Sequence, residues 1–206
     1  MTAFFAALLL VSCEYKEETW IDFMDLTQIT EGDFKVFDQK VDDLGKDGVP
    51  ANCFVPDGTP IGEYKDTKAT GANSTLFVQR LLDFTKGNQV VELAGTYTSV
   101  DTEGNPITLS GKVMLPADGK FSRFIIVSHY TVGSNAEAPS NCFSLEGVIV
   151  PLGYCLIIPD YLGYGITAGK KHPYLALDLT ARNTLDMYLA VKPFLAAAGL
   201  EPEFET

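Results

Sequence analysis

At 206 residues the chain is long enough for one domain with a sizeable core, and a hydrophobic fraction of 46% excludes a disordered chain. The 15 Lys and Arg are outnumbered by 27 Asp and Glu, and the net charge of −12 excludes nucleic acid as a partner, because phosphate binding needs a basic stripe. No Cys and His cluster has metal-ligand spacing, and neither a G-x-G-x-x-G run opening a helix nor a P-loop is present.

In chain order, residues 1–12 carry no charge, and the apolar run Ala3–Val11 has the length of a signal-peptide core while being too short to cross a bilayer. Leu10-Val11-Ser12-Cys13 resembles a bacterial lipobox, which implies cleavage before Cys13 and lipid acylation of its thiol. No Lys or Arg precedes the apolar run, so a start upstream of Met1 is an open reading. Glu14 to Glu18 reads as an acidic tether, similar to the signal that sends some Gram-negative lipoproteins to the outer face of the outer membrane. The expected location is therefore the bacterial cell envelope, with a lipid anchor in the outer membrane.

Residues 13–85 form this tether and an N-terminal extension, rich in acids, Gly and Pro, with a loop over Gly48–Gly62. Asn73–Lys86 reads as a helix capped by Ser74, with Leu76, Phe77, Arg80, Leu81 and Phe84 at helical spacing. From residue 86 onward a second unit begins. Val90–Val100, the turn Asp101–Asn105 and Ile107–Pro116 predict a β-hairpin.

Phe124–Ser128 and Tyr154–Ile158 are apolar runs without alternation, the pattern of parallel strands covered on both faces. The first empties into His129-Tyr130-Thr131-Val132-Gly133. The second ends at Pro159 and opens the loop Asp160-Tyr161-Leu162-Gly163-Tyr164-Gly165. Ser140–Leu152 is expected to contain the crossover helix between them. A longer helix follows, capped by Asp178, with Leu177, Ala181, Leu185, Tyr188 and Leu189 as its buried face and Pro193 kinking or ending it. Once Cys13 is acylated, Cys53, Cys142 and Cys155 remain; Cys155 reads as a core residue and Cys53 with Cys142 as the first disulfide to test.

Two strands that deliver polar, Gly-bearing loops to one sheet edge place candidate chemistry there. The stretch from Val90 onward resembles the α/β-hydrolases, in particular the secreted lipase and esterase branch. Asp160, Gly163 and Gly165 match that family's Asp-x-x-Gly-x-Gly loop; His129 matches its His-Gly loop, with Tyr130 where Gly is usual. The resemblance implies the N-terminal part of an α/β-hydrolase fold over residues 86–206, an antiparallel hairpin followed by parallel strands with crossover helices.

It also implies that Thr131 or Tyr130 offers a backbone N–H to an oxyanion hole, with His129 bracing the loop. Asp160, Gly163 and Gly165 would shape the wall of a pocket that Tyr161 and Tyr164 contact. His172 would be a loop or pocket-wall residue, and Ser128 and Ser134 hydrogen-bonding loop residues. The implied activity is hydrolysis of carboxylic esters through an acyl-serine, on a lipid or small-molecule ester, with no metal or cofactor.

That family carries its nucleophile in G-x-S-x-G, followed by an acid and a His. No Ser here has Gly at both offsets, and both histidines, His129 and His172, precede the expected place of the nucleophile. The expectation is the front part of a longer protein, inactive and poorly soluble alone because Phe124–Val127 would be an apolar sheet edge. A noncatalytic surface lipoprotein on the same scaffold is the alternative, and peptide hydrolysis a weaker third.

Overall fold

The computed structural model describes residues 34–44 and 87–200. They form a mixed α/β fold with a five-stranded, mostly antiparallel sheet: β1 (Lys35–Asp43), β2 (Gln89–Val100), β3 (Pro106–Pro116), β4 (Arg123–Ile126) and β5 (Tyr154–Pro159), in the spatial order β1-β2-β3-β5-β4. Among the described residues one α-helix, α1 (Leu177–Ala197), and short 3-10 helices complete the regular structure. The expected anchor residue Cys13, the expected Gly48–Gly62 loop and Asn73–Lys86 helix, and Cys53 lie outside the described residues.

The expected hairpin forms, pairing from Val90 opposite Pro116 to Val100 opposite Pro106. Its turn is organised by Asp101, whose carboxylate accepts from the N–H groups of Glu103 and Asn105, both at 2.9 Å. Those two donors hold the Asp101 carboxyl below its ordinary range. Gly104 takes the left-handed conformation that closes the turn, at φ +81°.

β4 and β5 run parallel, with Phe124 opposite Cys155 and Ile126 opposite Ile157, and the Val127 N–H extends the ladder to Ile157 O at 2.9 Å. β5 is deeply buried: Cys155 to Ile158 are all 0% exposed. Cys155 and Ile157 face a core shared with α1, through Leu93, Val113, Met187 and Leu195; Leu156 and Ile158 face a second core with Val90, Met114, Phe143 and Val150. Burial on both faces explains the continuous apolar run in the sequence.

β4 pairs only with β5 among the described residues, and Ile126 is 42% exposed at that edge. Phe124 is turned inward, edge-on to Phe121 and Tyr188 at 5.2 and 6.0 Å.

Five features depart from the sequence-based expectation. Strand β1 falls inside the 13–85 extension and pairs with β2 through a bulge between Val36 and Asp38. Its residues are mostly exposed and carry little hydrophobic signal, so pairing with β2 rather than burial makes it a strand. The β4–β5 connection is a 3-10 helix over Leu145–Leu152 rather than an α-helix, with Pro151 inside it and Gly153 ending it at φ +85°.

Helix α1 buries a different face. Asn183, Asp186, Met187, Ala190, Val191 and Leu195 point inward, whereas Leu177 is 79% exposed. Asn183 donates to Ser99 Oγ at 2.7 Å and to Val100 O at 3.1 Å, and Ser99 donates to Asp186 at 2.7 Å. Arg182 closes the network on Asp186 at 2.8 Å. Burial pushes the Asp186 carboxyl up, opposed by Ser99 and Arg182. Hydrogen bonds to β2 thus bury polar residues that hydrophobic spacing assigns to solvent.

Asp178 is not the cap, which is Ala176; it lies in the first turn, where a carboxylate still favours the helix dipole. Pro193 does not end the helix either. Termination falls to Gly199 at φ +73°, with Leu200 N–H bonded back to Leu195 O at 2.9 Å. Cys142 is a buried thiol donating to Glu137 O at 3.3 Å, and its candidate partner Cys53 lies outside the described residues.

Candidate active site

The two parallel strands deliver their following loops to one cavity of about 340 Å³. His129, Tyr130, Thr131 and Val132 line it from the β4 loop, and Tyr161 and Tyr164 from the β5 loop. His172, Tyr174, Leu175, Leu177 and Thr180 close it from the segment entering α1. The aromatic count is high, and the Tyr164 phenol is pushed up by burial, with Glu137 and Tyr174 adding to the shift.

Asp160 holds the two loops together from behind. Its carboxylate is fully buried and accepts from Ser110 Oγ at 2.6 Å, Ser140 N–H at 2.8 Å and Ser140 Oγ at 2.5 Å. Such a set satisfies a buried charge that would otherwise be costly. Gly165 packs directly on it: a Cβ there would sit 2.0 Å from Asp160 Oδ2 and 2.0 Å from Ser110 Oγ, at φ +57°. Gly163, at φ +98°, lets the His172 backbone approach to where a Cβ would meet it at 2.8 Å. Asp160, Gly163 and Gly165 therefore stand behind the cavity wall, not on it, and Tyr161 and Tyr164 form its surface.

Tyr161 takes φ 67°, a conformation unfavourable for an aromatic residue, and its ring lies 4.6 Å from that of His129. Tyr164 Oη donates to Val132 O at 2.9 Å, tying the β5 loop to the β4 loop. A second tie runs from Gly165 N–H to Asn135 Oδ1 at 2.7 Å.

The β4 loop is braced within itself by Glu137, a buried carboxylate accepting from Gly133 N–H at 3.2 Å and Ser134 Oγ at 3.0 Å. His129 Nδ1 lies 2.6 Å from Tyr130 O and Nε2 3.2 Å from Asp160 O. Thr131 Oγ1 meets Tyr174 Oη at 3.2 Å, while the Thr131 backbone N–H has no acceptor among the described residues. Ser128 is exposed at the loop entry.

His172 reaches the cavity with its Nδ1 fixed 2.7 Å from Leu162 O. Sequence reasoning missed Tyr174, Leu175, Asn135, Glu137 and Ser140. The Pro173-Tyr174-Leu175 run just ahead of α1 was a usable signal for the rim, since an aromatic and a Leu there have no strand or helix of their own to pack into. Among the described residues no group of three His, Cys, Asp or Glu could hold a metal, and no helix is long and apolar enough to cross a membrane.

No protein-family model and no curated protein sequence matches the chain. Solved structures do resemble it in fold. A Legionella pneumophila protein described as a candidate hydrolase is 23% identical over 55% of this chain and 32% of its own length, at a TM-score of 0.49. The rice cell wall degrading esterase LipA from Xanthomonas oryzae is 23% identical over 61% of this chain and 35% of its own length, at 0.48. Candida antarctica lipase A, at 14% identity and 0.36, is covered over 29% of its length. The chain thus spans about a third of the length of these structures.

Proposed function

We propose that the protein containing this chain is a secreted, lipid-anchored serine hydrolase of carboxylic esters, working through an acyl-enzyme. The observation that carries the reading is the cavity itself. The His129–Gly133 loop, which matches its hydrolase motif in part, and the Asp160–Gly165 loop, which matches its own in Asp160, Gly163 and Gly165, meet in one cleft where the Thr131 N–H has no acceptor among the described residues.

Ester hydrolysis develops a negative oxygen in its transition state, and a backbone N–H held in place beforehand stabilises that oxygen at no reorganisation cost. Thr131 would be one donor. Tyr130 stands where the motif has Gly, and its side chain becomes part of the cavity wall. The serine, acid and base would come from sequence outside these 206 residues, as would the second donor. Acylation at Cys13 would tether the enzyme to the outer membrane of the cell envelope and bring it to lipid or small-molecule esters.

One rival reading, favoured if the native gene carries no G-x-S-x-G serine beyond these residues, is a noncatalytic lipoprotein that keeps the scaffold for binding. Full-length protein from the native gene separates them. Hydrolysis of nitrophenyl acyl esters, with stoichiometric labelling of one serine by a fluorophosphonate, is the expected result. A folded full-length protein with neither property refutes the esterase and leaves the binding role.

A further inference from the structure

The cavity between the β4 and β5 loops is walled by a file of five rings. Tyr161 lies 4.6 Å from His129, His129 6.2 Å from Tyr164, Tyr164 4.9 Å from His172 and His172 6.2 Å from Tyr174, all at separations where rings pack edge-on or offset. All five line the cavity, and no carboxylate, amide, ammonium or guanidinium side chain does so among the described residues. The file ends in the open, at a rim where Tyr174 is 61% exposed and Leu175 84%. Apolar groups gathered in solvent at the mouth of a cavity mark a place where something binds.

Leu175 is also held in a backbone conformation that its side chain disfavours. The Ala176 N–H bonds to Pro173 O at 3.1 Å and closes a four-residue turn with Leu175 in third place, at φ 62°. Positive φ at that position is the requirement of a type II turn, and glycine meets it without strain. Among the described residues two non-glycine residues have positive φ, Leu175 and Tyr161, and both line this cavity. Strain that presents a leucine to solvent gains nothing for the described fold, and strain of this kind collects at ligand clamps.

Resting on the ester-hydrolase reading, we propose that this cavity takes a flat, uncharged aromatic group of the ester, and that Leu175 is the specificity-determining residue that covers the group at the mouth. Other substrate chemistries fit the walls less well. A sugar needs carboxylates, amides or guanidinium groups to satisfy several hydroxyls at once, and a charged group needs a counter-ion; neither need is met by the side chains that line the cavity. A long acyl chain needs room, and about 340 Å³ lies at the small end of the roughly 300–1,000 Å³ of ligand pockets. An aromatic group is compact and gains from edge-on or offset contact with each ring it meets.

The test titrates full-length protein calorimetrically with cinnamamide, an uncharged aryl amide, with octanamide, an alkyl amide of similar size, and with methyl glucoside. Amides let binding be read without ester turnover. Cinnamamide should bind about tenfold tighter than octanamide, the equivalent of one or two ring contacts, and methyl glucoside should not bind. Leu175→Gly should weaken cinnamamide binding about fivefold or more by uncovering the ring, while Tm stays the same or rises because glycine relieves the turn. Leu175→Met should bind cinnamamide within about twofold of wild type. Failure to bind cinnamamide, octanamide binding as tightly, glucoside binding, or an unchanged affinity in Leu175→Gly would overturn the inference. So would a lowered Tm in Leu175→Gly, which would assign Leu175 to the fold. Hydrolysis of alkyl esters without cinnamamide binding would sink this inference and leave the enzyme reading standing; the full binding pattern in a protein that hydrolyses no ester would do the reverse.

Discussion

Across β1, β2 and β3 the sheet carries a buried charge group whose protonation can be tested by stability. Glu92 is 2% exposed and pairs with Lys112, whose ammonium also donates to Cys142 O. Asp42 lies two ladder steps from Glu92 on the same face, close enough to raise its carboxyl, and Asp42 Oδ2 and Glu92 Oε1 are both buried without a hydrogen-bond partner among the described residues. Two carboxylates can satisfy each other there only by holding a proton. Burial, then the Asp42 contact, push the Glu92 carboxyl from 4.5 up to about 7, against the opposing pull of Lys112.

The sign follows from linkage. Above the unfolded value the unfolded chain loses this proton while the folded chain keeps it, so stability falls as pH rises and levels off once the folded group has also ionised. The window is from 4.5 to about 7, and the size is about 3 kcal/mol at 1.36 kcal/mol per pH unit. Glu92→Gln keeps a donor for Asp42 and an acceptor for Lys112 but cannot titrate. Urea unfolding followed by circular dichroism should show wild type losing about 3 kcal/mol more than the variant between the ends of that window. Parallel pH profiles for the two proteins would refute a proton held between Asp42 and Glu92.

Three further outcomes follow from the site. Gly165→Ala must displace Asp160 or Ser110 and also hold a left-handed backbone; a loss of about 2–4 kcal/mol in the same unfolding assay is expected, and a neutral substitution would contradict the packing. Asp160→Asn leaves one of the two serine hydroxyls or the Ser140 N–H poorly matched, for a loss of about 1–3 kcal/mol and weaker protection of the β4-loop amides in hydrogen exchange; unchanged protection would show that Asp160 does not hold the loops. Burial pushes the Cys142 thiol up to about 11 and the Cys155 thiol higher still. Both should resist Ellman's reagent at neutral pH until denaturant is added, and rapid native labelling of either would refute their burial.

The readable part of this fold was the part whose sequence pattern has one physical cause. β5 and β4 announced themselves because burial on both faces demands unbroken apolar runs, and the hairpin because Asp101 to Asn105 interrupts two long strand patterns. Helix α1 was visible as a helix but not in its rotation, since Asn183 and Asp186 are buried by hydrogen bonds that no hydrophobic count registers. β1 was hidden because an edge strand with exposed side chains is specified by its partner β2. Of the site, His129, Thr131, Tyr161 and Tyr164 could be singled out by their place after two strands. The roles of Glu137, Ser140 and Asn135 depend on contacts to residues distant in sequence, as does the retreat of Asp160 behind the wall.

The central claim, that the cleft between the β4 and β5 loops hydrolyses esters with the Thr131 amide as an oxyanion donor, is reached most directly by deleting that single N–H. Replacing Thr131 in the full-length protein by the corresponding α-hydroxy acid turns the amide into an ester and leaves the side chain in place. Nitrophenyl ester hydrolysis should then lose about 10²-fold or more in kcat with little change in KM. An unaltered kcat in a protein that still folds would contradict the account.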